Sequence, residues 1–242
     1  MQNNNTKHFT IIGVLVVIFA YLVYRVLDAV LQFPLQGSAQ AAAIDNLIQG
    51  HLWLIAFLFS LVIVFMVYSL FLFRRRDGEE GEGQYFHGNT TLEIVWTTVP
   101  MVLVIAFGYW GTVTLSDLTR PQENEVIVNA EGFQWGWNFS LPNSDVIAQE
   151  LVLPVGAAIR MDLTSKDVLH NFWVPEFRVK QDIVPGRTTH LRFVPTVEGT
   201  YNLICAELCG MNHTGMIAVV RVVPQDEFAA FWSQDVQTAS SK

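Results

Sequence analysis

Three long apolar stretches crowd the first 115 residues, and beyond them the apolar positions fall into short alternating segments broken by glycine and proline. The second stretch, Leu52 to Phe73 (LWLIAFLFSLVIVFMVYSLFLF), carries no charged residue. It reaches the roughly 20 residues that a helix needs to cross a hydrocarbon layer about 30 Å thick. The third, Ile94 to Leu115, is of similar length, with Trp96 near one end and Tyr109 and Trp110 towards the other. Such rings favour the membrane interface, and Pro100 in its first turns is tolerated in a membrane helix. Arg74, Arg75 and Arg76 abut the second stretch, which assigns the loop between the two helices to the cytoplasm and both flanking segments to the opposite side.

The first stretch, Phe9 to Leu31, is interrupted by Arg25 and Asp28. Pairing of these two residues, three apart, lowers the cost of placing them there. The following GSAQAAA (Gly37 to Ala43) has the small-residue pattern of a signal-peptidase site. A retained third spanning helix, running outward, is the expectation, with an interfacial or signal-anchor helix as the alternative. The predicted organisation is a membrane anchor over 1–118, with spans at about 9–31, 52–73 and 94–115, an extracytoplasmic domain over 119–225, and a short helix and loose tail over 226–242.

In that domain the segments EVIVNA (Glu125 to Ala130), AAIRMDLTS (Ala157 to Ser165), RTTHLRFVP (Arg187 to Pro195) and MIAVVRVVP (Met216 to Pro224) read as strands separated by turn residues. The fold class is therefore α-helical membrane segments followed by an all-β domain, a Greek-key sandwich or barrel. With 51% hydrophobic residues and a positive mean hydropathy, the composition argues against an ordinary soluble protein. Acidic residues outnumber basic ones by 22 to 14, which argues against nucleic acid and suits a basic protein partner. The chain shows no nucleotide-binding glycine loop.

Both cysteines of the chain fall in CAELCGMNHTGM, residues 205 to 216. A disulfide is permitted outside the cytoplasm, but one between Cys205 and Cys209 would close a very short loop, where its entropic gain is least. It would also leave His213 and Met216 without a role. Zinc suits two thiolates and an imidazole but has little use for a thioether, whereas copper is suited by all three. A single blue-copper ion takes one thiolate and two imidazoles. The surplus thiolate here points to two copper ions bridged by both sulfurs, each with one histidine and one weak axial ligand.

The second histidine has few candidates. His8, His51 and His87 lie in or near the membrane segments, and His190 sits in an alternating strand as an ordinary strand residue. His170, at a turn before aromatics and a proline, is the better ligand. The chemistry thus assigns Cys205 and Cys209 as bridges, His170 and His213 as terminal ligands, Met216 as axial to one metal, and the carbonyl of Glu207 as the candidate for the other.

This loop, together with DVLHNFWVPEFRVKQDIVPGR (Asp167 to Arg187), FQWGWNF (Phe133 to Phe139) and TLEIVWTTVP (Thr91 to Pro100), closely resembles subunit II of the haem–copper cytochrome c oxidases. The resemblance covers about residues 50 to 225. It implies a cupredoxin-like domain carrying a dinuclear CuA centre that takes electrons from a cytochrome c or similar small donor. They pass to haem in subunit I, where oxygen is reduced to water with proton translocation. The partners it implies are that haem-bearing subunit and other oxidase subunits, in a bacterial plasma membrane.

His170, Cys205, Glu207, Cys209, His213 and Met216 match the family's CuA ligands, and Glu207 also matches a magnesium ligand at the subunit I boundary. Trp135 matches the tryptophan through which electrons arrive, Asp167 an acidic residue of the donor-docking patch, and Glu93 a glutamate near the mouth of a proton pathway. Trp137, two residues from Trp135, would share its face on a regular strand, so a twist or bulge is needed to separate them. No C-x-x-C-H motif occurs, so the donor is expected to be a separate protein rather than a fused c-type haem. Two further readings stay open: a CuA subunit of a nitric oxide reductase, and a stand-alone membrane-tethered copper carrier.

Overall fold

The structure is a computed structural model and describes residues 2–75, 77–78, 85–142 and 144–233, with side chains from residue 5 onward. Residue 76 and residues 79–84 of the Gly/Glu-rich cytoplasmic loop lie outside the described residues, as does the predicted tail beyond residue 233. Two compact units form, one of residues 1–33 and 46–111, the other of residues 34–45 and 112–242.

Three helices are long and apolar enough to cross a membrane: α1 (Gln2–Val30), α2 (Ala39–Leu72) and α3 (Thr90–Thr119). All start before the apolar cores read from the sequence, because polar residues at the end of a span are still compatible with helix once the backbone has begun to bond within itself. Asn89 starts α3 before the predicted Ile94 by accepting a hydrogen bond from the Leu92 N–H at 3.2 Å. Within the first unit the hydroxyl of Tyr24 donates to Gln49 Oε1 at 2.9 Å, and its ring stacks on Trp53 with centroids 3.8 Å apart. Gly50 admits the ring of Trp110, which a Cβ there would meet at 2.6 Å. The expected Arg25–Asp28 ion pair does not form among the described residues. Arg25 instead donates to the Tyr21 hydroxyl at 3.3 Å, because side chains on a helix lean back towards its N-terminus.

The second unit is a cupredoxin-like sandwich. Its strands are β1 (Val126–Phe133), β2 (Gly136–Ser140), β3 (Leu151–Pro154), β4 (Ile159–Ser165), β5 (His170–Val174), β6 (Val179–Ile183), β7 (Thr189–Phe193), β8 (Gly199–Cys205) and β9 (Ile217–Val223). They form one sheet in the order β2-β1-β4-β7 and another in the order β3-β9-β8-β5-β6. Alternation decides what faces the core: Ile159, Met161 and Leu163 of β4, Ala218, Val220 and Val222 of β9, and Tyr201, Leu203 and Cys205 of β8 all point inward. β3 is buried on every residue. Its outer cover is α4 (Gln225–Trp232), whose Trp232 donates from Nε1 to the Val152 carbonyl at 3.2 Å.

The GSAQAAA segment and the first turns of α2 join this sandwich. The Gly37 N–H donates to Glu176 O at 2.8 Å, and the Ser38 hydroxyl donates to Phe177 O at 2.7 Å. The side-chain oxygen of Gln40 accepts from the Val194 N–H at 3.0 Å. Asp45 meets Arg178 in a two-pronged ion pair, Nε to Oδ1 at 2.8 Å and a terminal guanidinium nitrogen to Oδ2 at 3.1 Å. The two side chains are only 8% and 10% exposed. Removing Asp45 takes the carboxylate from a buried guanidinium that still donates to the carbonyls of Pro34, Leu35 and Pro175. Asp45→Ala is expected to cost about 2 kcal/mol in denaturant unfolding of the full chain in detergent. A cost for Asp45→Ala below about 1 kcal/mol, the range of exposed pairs, would contradict this.

Candidate metal centre

Cys205 is the last inward residue of β8, and Met216 immediately precedes β9, so the turn between these paired strands carries the whole CAELCGMNHTGM motif. Backbone bonds close the loop: the Cys205 N–H donates to Met216 O at 3.1 Å, His213 to Gly210 O at 3.2 Å, and Met216 to His213 O at 3.2 Å. β5 runs beside β8 with Phe172 opposite Cys205, which brings His170, the first inward residue of β5, to the same end of the core.

The donor atoms converge. Both cysteines are free and buried, with their sulfurs 3.8 Å apart. That separation is too long for the bond of about 2.05 Å in a disulfide, and it suits two thiolates that share a metal at about 2.3 Å each. His170 Nδ1 lies 3.9 Å from Cys205 Sγ, and His213 Nδ1 lies 3.5 Å from Cys209 Sγ. The carbonyl of Glu207 is 3.3 Å from Cys205 Sγ, and Met216 Sδ is 3.7 Å from Cys209 Sγ. Each sulfur thus has one imidazole and one weaker donor beside it. The ligand atoms of His170, Cys205 and Cys209 lie within 4.8 Å of one another. His190 stands apart, half-exposed on β7 and paired with Asp162 at 2.8 Å.

His170 is fully buried and offers Nδ1 to the sulfurs because its other ring nitrogen, Nε2, is 2.8 Å from Asp167 Oδ1. The ring packs against Trp137, and a Cβ at residue 132 would stand 3.3 Å from it, so Gly132 makes room for the imidazole. Asp167 also accepts the backbone N–H groups of Gln134 at 2.7 Å and Val168 at 2.6 Å. Partial burial opposes its ionisation, but the bonds from His170, Gln134 and Val168 outweigh it and hold the carboxyl below its ordinary range. Burial, reinforced by the neighbouring Cys205, pushes the Cys209 thiol up to about 11.

Trp135 and Trp137 part company without a twist or bulge. Phe133 pairs with Gly136, so Gln134 and Trp135 form the turn of the β1–β2 hairpin and Trp137 is already back in a strand. Trp135 is 38% exposed and Trp137 only 2%. The Trp135 ring leans on the loop: a Cβ at Gly210, directly after Cys209, would meet it at 3.2 Å. Glu207 is half-buried on the same loop, and Glu93 is exposed in the first turn of α3. Gln134 and Gly132 had no distinguishing signal in the sequence, since their roles exist only through residues distant in the chain.

The chain matches "Cytochrome C oxidase subunit II, periplasmic domain" over residues 145–223 and "Cytochrome C oxidase subunit II, transmembrane domain" over residues 26–111. It is 31% identical to "Cytochrome c oxidase subunit 2" of Thermostichus vulcanus, over 86% of this chain and 80% of that protein. It is 32% identical to "Alternative cytochrome c oxidase subunit 2" of Bradyrhizobium diazoefficiens, over 79% of each. The crystal structure of the periplasmic domain of subunit II of cytochrome oxidase from Bradyrhizobium japonicum is 32% identical, covering 46% of this chain and 92% of that one, with a TM-score of 0.42. Two oxidase family segments in the expected order, together with relatives described as oxidase subunits, set the oxidase reading above the nitric oxide reductase and lone-carrier alternatives. The chain is an integral membrane protein and belongs to the cytochrome c oxidase subunit II family.

Proposed function

We propose that this chain receives electrons one at a time from a cytochrome c or similar small redox protein at a dinuclear copper centre. It then passes them to haem in the partner subunit I, where oxygen is reduced to water with proton translocation. The observation that carries this reading is the division of the donors into two sets, His170 and the Glu207 carbonyl beside Cys205, and His213 and Met216 beside Cys209. Six donors exceed what one tetrahedral ion uses, and thiolate, thioether and imidazole together suit copper. Two copper ions there would supply reversible one-electron exchange, with the charge shared over both sulfurs.

The chain's own residues do the rest. β5, β8 and the closed loop fix the backbone that carries the donor atoms, so a change of charge is expected to move them little. Asp167 holds the His170 tautomer that presents Nδ1, the role carboxylates commonly play behind a metal-bound histidine. Its side chain remains 30% exposed, leaving its charge within reach of a basic donor. Trp135, exposed outward and in contact with Gly210 inward, is the route by which electrons arrive. The half-buried Glu207 side chain is assigned to magnesium at the subunit I boundary, a hard cation that takes oxygen ligands. Glu93, at the start of α3, is assigned to the mouth of the proton pathway.

Met216→Leu is expected to retain both coppers, since a thioether is the weak ligand of its set, while shifting the midpoint potential and slowing turnover. Loss of one whole copper from that variant would contradict the axial assignment. Copper binding is also expected to strengthen with pH. The Cys209 thiol, pushed up to about 11, must release its proton, and Cys205 must likewise bind as a thiolate. Each displaced thiol proton is expected to weaken affinity by about tenfold for each unit of falling pH, so the loss is at least about tenfold per unit. A copper titration between about pH 6 and 8 checks the slope, and affinity independent of pH would contradict it.

A further inference from the structure

We infer that Gln134 is a positioning residue that locks Trp135 against the metal loop and so sets the rate at which electrons reach the centre, an inference that rests on the proposed role of Trp135. Three bonds meet at this residue. Its peptide links it to Trp135, its backbone N–H donates to Asp167 Oδ2 at 2.7 Å, and its side-chain amide donates to the carbonyl of Cys209 at 2.7 Å. Asp167 in turn holds His170. One turn residue is therefore tied to the ligand sets on both sides of the paired sulfurs.

The space around the loop supports the same assignment. Gly210 adopts φ +122°, and a Cβ there would approach the Gln134 amide nitrogen to 2.9 Å and the Trp135 ring to 3.2 Å. Glycine is required both for the backbone conformation and for the close approach. The amide and the indole thus rest side by side on the residue that follows Cys209. Gln134 and Trp135 are both exposed, so without the amide bond nothing among their described contacts ties the side chain of this turn to the Cys209 carbonyl. The reaction affected is transfer of one electron from a reduced single-electron carrier protein to the oxidised centre, with no bond made or broken.

The test uses the assembled oxidase with Gln134→Leu, which keeps bulk and removes the donor. Two rates are followed by stopped-flow or flash reduction: electron arrival from the donor, and onward transfer to haem. Arrival is expected to slow about tenfold, as small misplacements of reacting groups do. Copper per chain, its spectrum and onward transfer are expected to stay unchanged, a split that a merely structural role would not produce. An unchanged arrival rate, or loss of copper together with slowing of both rates, would overturn the inference. Trp135→Phe is measured in parallel: slowing there with none in Gln134→Leu rejects Gln134 alone, whereas no slowing in Trp135→Phe rejects the Trp135 reading and the inference with it.

Discussion

Two thiols held 3.8 Å apart inside a β-sandwich are the constraint on which this structure turns. Left to itself, such a pair is unfavourable to ionise: burial and proximity drive the Cys209 thiol up to about 11. The fold nevertheless brings the pair together and surrounds it with further donors rather than separating it. Strand alternation places Cys205 inward at the end of β8, the pairing of β8 with β9 returns Met216 to its side, and β5 supplies His170 from the neighbouring strand. The sandwich thus bears the cost of assembling the donors.

Around this pair the polar contacts form a small connected network. Asp167 joins His170 to the β1–β2 turn, and Gln134 joins that turn to the Cys209 carbonyl. The exposed face of the domain and the buried donors are therefore linked by two side chains and the backbone of one turn. Further along the same domain, the Asp45–Arg178 pair and the Ser38 and Gln40 bonds fasten the start of α2 to the sandwich. These contacts occupy the segment whose small residues resemble a cleavage site, and they give that composition a packing reason: Ala41 is fully buried and Gly37 lies against Phe177.

Local signals were readable in advance and distant ones were not. β1, β4, β7 and β9 follow alternating segments, and the donor loop is legible because its thiols, imidazole and thioether lie within one short motif. β3 is buried throughout and so has no alternation to read. The early start of α2 was hidden because Asp45, Asn46 and Gln49 interrupt the apolar run while remaining compatible with helix. The Arg25–Asp28 pairing was expected from spacing, but the lean of the arginine side chain favours Tyr21 one turn back. The Gln134–Cys209 bond spans 75 positions, and no pattern within a single window announces it. Trp135 and Trp137 looked equivalent by strand period until the register placed the hairpin turn between their roles.

The central claim is that one loop and one neighbouring histidine hold two copper ions that share an electron. The most direct measurement is copper content per chain together with the electron paramagnetic resonance spectrum of the oxidised full chain in detergent. The account predicts two coppers per chain and a hyperfine pattern from a single unpaired electron spread equally over two copper nuclei. One copper with a single-nucleus pattern, or zinc, or no metal, would contradict it.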